Sequence, residues 1–74
     1  MATIGAVMPQ IDGEKLRALR EKKFLSHREL AKNAGVSPTT VLNLETGNVL
    51  EAQRRTIRKL AEALGVGPAD LVQD

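Results

Sequence analysis

The chain contains no cysteine, no tryptophan and no tyrosine. Without cysteine there can be no disulfide and no thiolate metal site, which suits a reducing compartment. Phe24 is the single aromatic residue, so a core has to be built from Leu, Ile, Val and Ala. Helices pack well with such residues, whereas small all-β domains carry more aromatic and β-branched ones. There is one histidine, no evident carboxylate pair, no glycine-rich phosphate loop and no cluster of metal-ligating types. Catalysis, a metal and other cofactors are therefore not expected. No apolar run reaches the ~18 residues a membrane helix needs. Residues 1–10, MATIGAVMPQ, carry no charge and lack the basic start and the length of a signal peptide. They are expected to form a flexible or arm-like segment, and the protein is expected in the cytoplasm. Charge of one sign is scarce too. Eleven Lys and Arg stand against nine Asp and Glu, a net +2, too mild by itself to argue for nucleic acid.

Such charge as there is comes in clusters. Arg54, Arg55, Arg58 and Lys59 crowd one stretch, and Lys15, Arg17, Arg20, Lys22 and Lys23 another. At 74 residues, 42% of them hydrophobic, the chain is one domain near the lower size limit for a single stable core. Asp12 is placed to cap a first helix, with Glu14 in its first turn and Leu16 and Leu19 on its buried face. Phe24 and Leu25 are expected to turn into the core. Ile57, Leu60, Ala61 and Leu64 hold the i, i+3, i+4, i+7 pattern of an amphipathic helix over Gln53–Leu64, stopped by Gly65. Pro68 starts a last short helix, to about Val72, with Leu71 inward.

The most informative stretch lies between, SHRELAKNAGVSPTTVLNLETG from Ser26 to Gly47. Ser26 with Glu29 three residues later makes a capping box. Leu30, Ala31 and Ala34 share one helical face, and Gly35 ends that helix by taking a left-handed conformation at no steric cost. Ser37 caps the next helix, with Pro38 at its first position. Val41 and Leu44 form its buried face, and Gly47 closes it. Ala31 is small enough for the two helices to cross closely after a short turn, leaving the second helix projecting.

This ordered set resembles the helix-turn-helix of the Xre family, which includes phage Cro and lambda-type repressors. The match extends from about Leu16 to Leu71. Within the motif it includes Glu45, and beyond it Arg20, Thr56, Ile57, Leu60, Leu64, Gly65 and Val66. The resemblance implies an all-α, compact five-helix lambda-repressor-like DNA-binding domain over residues 11–74. It implies a sequence-specific regulator of transcription, most often a repressor, whose helix 37–45 enters the major groove of double-stranded DNA.

Within that frame Pro38, Thr39, Asn43 and His27 are candidates for base contact. The Asn43 amide suits adenine N6 and N7, and Thr39 can donate to a base or lay its methyl beside thymine. His27 stands where the family often has glutamine. Ser37, Thr40, Arg28, Asn48, Arg54 and Arg55 are candidates for the DNA backbone. Arg20 and Glu45 are expected to form a partly buried ion pair that orients the recognition helix. A homodimer on a pseudo-palindrome is expected, since one such domain covers little DNA. One departure stands out. The loop after Gly47 holds Asn48, Val49, Leu50, Glu51 and Ala52, where repressors often carry Lys or Arg. Glu51 and the neutral recognition helix keep a second reading open, a protein-interaction module of antitoxin or coactivator type.

Overall fold

Asp12 opens the first helix, as its position suggests. Its Oδ1 accepts hydrogen bonds from the backbone N–H groups of Glu14 and Lys15 at 3.1 and 3.2 Å, satisfying donors that a helix start otherwise leaves free. The helix that follows, α1, spans Gly13–Lys22. In this computed structural model, which describes residues 9–73, three more helices follow: α2 (His27–Ala34), α3 (Pro38–Thr46) and α4 (Arg54–Leu64). Ser26 and Glu29 cap α2 reciprocally, at 3.0 Å for the hydroxyl and 2.8 Å for the carboxylate. The Ser37 hydroxyl caps α3 through the Thr40 N–H at 3.1 Å.

Two expectations are corrected. Among the described residues there are four α-helices, not the five expected. The segment from Pro68 is a single 3₁₀ turn, Pro68–Asp70. It stops there because the next residues pair with the N-terminal segment. Ile11 and Val72 form an antiparallel bridge, with Asp12 N–H donating to Leu71 O at 2.8 Å and Gln73 N–H to Gln10 O at 2.9 Å. On its other side the same segment bridges Gln10 to Glu51, through Ile11 N–H to Leu50 O at 2.7 Å and Ala52 N–H to Pro9 O at 3.2 Å. Of the segment 1–10, Pro9 and Gln10 are thus bonded to the domain, and the rest lies outside the described residues. Beyond these bridges no strand occurs among the described residues.

The second correction is Phe24, expected in the core and instead 93% exposed. Its φ is +58°, and it ends α1 as a left-handed residue. Its N–H donates to Glu21 O, and Leu25 N–H reaches back to Arg20 O, the pair of bonds of a Schellman helix end. That geometry throws the ring outward. Leu25, next to it, does pack against the core.

The core itself is aliphatic. Leu16, Leu30, Val41, Leu60 and Leu71 are fully buried, and Ile11, Ala31, Leu44, Ile57, Ala61 and Leu64 nearly so. Each helix therefore contributes one stripe, and α3 lies over both α1 and α2. Ala31, with no side chain beyond Cβ, lets α3 approach α2 closely. Gly35 turns the chain between them at φ +73°.

Candidate nucleic-acid interface

Val41 and Leu44 bury one side of α3. Helical geometry then puts Thr39, Asn43 and Thr46 on the opposite side, with Leu42 beside them. Pro38, Thr39, Leu42 and Thr46 are exposed and Asn43 half-buried. Leu42 and Thr46 were not among the expected contacts, although the spacing from Thr39 and Asn43 already puts them on the same face. The Asn43 side chain borders a shallow groove shared with Thr40, Val49, Glu51 and Gln53. Ser37 and Thr40 are hydrogen-bonded to each other through their hydroxyls at 2.9 Å.

The inner end of α3 is held by charge. Arg20 Nε lies 2.7 Å and its second nitrogen 3.1 Å from the two oxygens of Glu45, a bidentate arrangement. A third Arg20 nitrogen donates to Leu25 O at 2.7 Å, in the turn between α1 and α2. The side chains are 10% and 3% exposed. Hydrogen bonding to Glu45 raises the Arg20 pKa above its ordinary value, against the lowering effect of burial, with the charges of Glu45 and Glu21 adding to the rise. The guanidinium is therefore permanently charged and ties α1, the turn and α3 together.

Sequence reasoning missed the third member of this group. His27 Nε2 is 3.0 Å from Glu45 Oε1. A carboxylate only accepts, so this nitrogen carries the hydrogen. In neutral His27 the other ring nitrogen, Nδ1, is then unprotonated and can only accept. Eighteen residues separate His27 from Glu45, and no local pattern links them.

The remaining candidates are surface groups. Arg28 is exposed in the first turn of α2, Asn48 in the loop after α3, and Arg54 and Arg55 at the start of α4. Apart from the 3.1 Å Arg17–Glu21 pair on α1 and the Glu45 group, no ion pair occurs among the described residues. The structure thus joins Arg20, His27 and Glu45 directly, and Ser37 with Thr40. Pro38, Thr39 and Asn43 lie on α3 itself, whereas Arg54 borders a groove with Pro9, Ile57, Pro68 and Val72.

Residues 13–73 match the helix-turn-helix domain family. The chain belongs to that family. Helix-turn-helix relatives include the transcriptional repressor RghR of Bacillus subtilis, 44% identical over 54 residues, 73% of this chain and 40% of RghR. A putative helix-turn-helix transcriptional regulatory protein of Pyrobaculum aerophilum is 43% identical over 61 residues, 82% of this chain and 24% of that protein. The chain therefore spans less than half the length of these curated relatives. Among solved helix-turn-helix structures, the restriction-modification controller protein C.AhdI of Aeromonas hydrophila is 36% identical. Its TM-score is 0.74, and the match covers 78% of this chain and 86% of that one. The P22 c2 repressor, solved with a synthetic operator, is 30% identical with a TM-score of 0.72, covering 80% of this chain and 88% of the repressor. These likenesses bear out the resemblance to Cro- and lambda-type repressors. No helix among the described residues is long and apolar enough to cross a membrane.

Proposed function

We propose that this domain binds double-stranded DNA sequence-specifically as a regulator of transcription, most simply a repressor, with α3 lying in the major groove. The observation that carries this reading is the free face of α3, polar at Thr39, Asn43 and Thr46, on a helix whose other side is locked by Val41, Leu44 and the Arg20–Glu45 pair. Asn43 and Thr39 read base edges, and Pro38 makes apolar contact. His27 reaches a base or the adjoining phosphate, as a donor only when doubly protonated, because its other N–H is committed to Glu45. Ser37, Thr40, Arg28, Asn48, Arg54 and Arg55 touch the sugar–phosphate backbone and set register. The P22 c2 repressor, similar in fold and 30% identical, has been solved on an operator, which supports the same docking here.

The domain acts as a homodimer on two half-sites about 34 Å apart, or a multiple of that, in the cytoplasm of a prokaryotic or phage-infected cell. It has no catalytic role: its one histidine holds a structural carboxylate, and the interface is built for contact. A second reading, a protein-interaction module, draws on Val49 and Leu50, exposed at 43% and 48% beside Glu51. Selection of random duplex DNA by the purified chain separates the two. An enriched inverted repeat establishes the DNA reading and reports the dimer spacing. A folded sample that enriches nothing moves the function to a protein partner.

A further inference from the structure

At the first position of α1, Gly13 stands against the last turn of α3. A Cβ built on it would lie 2.5 Å from Leu44 O, 2.7 Å from Glu45 O and 3.1 Å from Glu45 C. These are backbone atoms, which cannot swing aside as a flexible side chain can. Ordinary contact begins near 3.4 Å, so a methyl group needs roughly an ångström more room. Helix ends of opposite polarity meet here. The amino end of α1, partly positive, faces carbonyls at the partly negative carboxyl end of α3. Two turns further along α1, Arg20 grips the Glu45 side chain. Glu45 is thus held twice by the same helix, by its main chain at Gly13 and by its carboxylate at Arg20.

We infer that Gly13 is a positioning residue for the recognition helix: its missing side chain sets the depth and tilt at which α3 is seated. The inference rests on α3 being the DNA reader. Because the α1 side of this junction is pinned, an added methyl pushes α3 against its own seating on Val41, Leu44 and the Arg20–Glu45 pair. Ile11 is buried, its N–H and that of Asp12 are bonded to Leu50 and Leu71, and Leu16 is fully enclosed. The outer face of α3, by contrast, meets solvent. A shift of this size spoils paired hydrogen bonds to base edges, which carry discrimination between sequences. It leaves long-range attraction to phosphate intact.

The test compares Gly13→Ala with the parent chain on its selected operator and on unrelated duplex, across a salt series, at a temperature where both are folded by circular dichroism. Ala18→Gly, on the exposed side of α1, is the control for lost helix stability alone. Gly13→Ala is expected to lose about ten-fold or more of specific affinity, with non-specific affinity and salt slope kept. Its amide chemical-shift changes are expected to concentrate in α3. Ala18→Gly keeps the parent's ratio of specific to non-specific binding. If Gly13→Ala alone fails to fold, the same change in a chain that also carries the stabilising Phe24→Gly and Gln53→Ser decides the matter, against that chain as its parent. A ratio equal to the parent's in the folded Gly13→Ala variant overturns the inference. A parent that selects no operator sinks the DNA reading instead. The α3 shifts in Gly13→Ala then still report whether Gly13 seats the helix.

Discussion

Arg20 and Glu45 carry the largest single-residue effect expected in this domain. With Glu45 only 3% exposed, removing Arg20 takes away both of the bonds between them and leaves the carboxylate to His27 alone. Breaking a buried pair costs about 3–5 kcal/mol, and His27 keeps the loss toward the lower end. A core of this size supplies on the order of 3–5 kcal/mol in all, so Arg20→Ala is expected to be largely unfolded at 37 °C in thermal melts. The double change Arg20→Met with Glu45→Leu is expected to recover much of that loss, because it leaves no unpaired charge. The pKa of Arg20 is raised, so its contribution is present below the unfolded value and lost only as pH rises through the folded one. Both lie in the extreme alkaline range, so melts between about pH 7 and 9 are expected to show no loss traceable to Arg20. Phe24 is the opposite case, a residue whose replacement helps. It holds φ +58° while 93% exposed, a conformation that costs a side-chain-bearing residue about 1–2 kcal/mol. Gly35 and Gly65 occupy left-handed positions at the ends of α2 and α4. Phe24→Gly is expected to raise stability by about 0.5–1 kcal/mol after the extra entropy of glycine in the unfolded chain, read as an increased melting temperature.

Among the elements, α4 is the least well started. Gln53 occupies its N-cap with no side-chain hydrogen bond, whereas Asp12, Ser26 and Ser37 all cap their helices. Gln53→Ser is expected to add about 1 kcal/mol, or roughly 4–8 °C in melting temperature, with DNA affinity unchanged. A serine at this place adds no charge beside Arg54 and Arg55. The helix ends of α2 and α3 were readable because a cap and a glycine act within a single turn. The Gly13 contact was not readable. Nothing near Gly13 in the chain says that the end of α3, more than thirty residues later, passes against it. Phe24 was misread for a related reason. With no glycine at that point, nothing marks a left-handed helix end, and an aromatic residue after a helix is ordinarily drawn inward.

For the whole molecule, the expected signature is electrostatic. A net charge of +2 is small, so affinity depends on where the cations sit. If Arg54 neutralises one phosphate, Arg54→Ala is expected to weaken binding to all duplexes alike and to reduce the salt slope by about one. Equal slopes for parent and variant would remove Arg54 from the interface. The three extended segments around residues 9–12, 50–52 and 71–73 also act at this scale. They fasten the loop after α3 to the last turn through the segment that leads into α1, which is why a fifth helix does not form.

By itself the sequence determined the aliphatic helical core, the caps and stops of the helices, and the helix-turn-helix with its free face on α3. Each of these is written within one or two turns, where hydrophobic spacing and backbone chemistry act directly. Only the tertiary structure decided that His27 shares Glu45 with Arg20, that Gly13 bears on the carbonyls of α3, that Phe24 faces solvent, and that residues 10–11 pair with both 51 and 72. All but one of these join groups far apart in the chain, and the exposure of Phe24 depends on how α1 ends against its neighbours. Packing selects among arrangements that the local pattern leaves equally open.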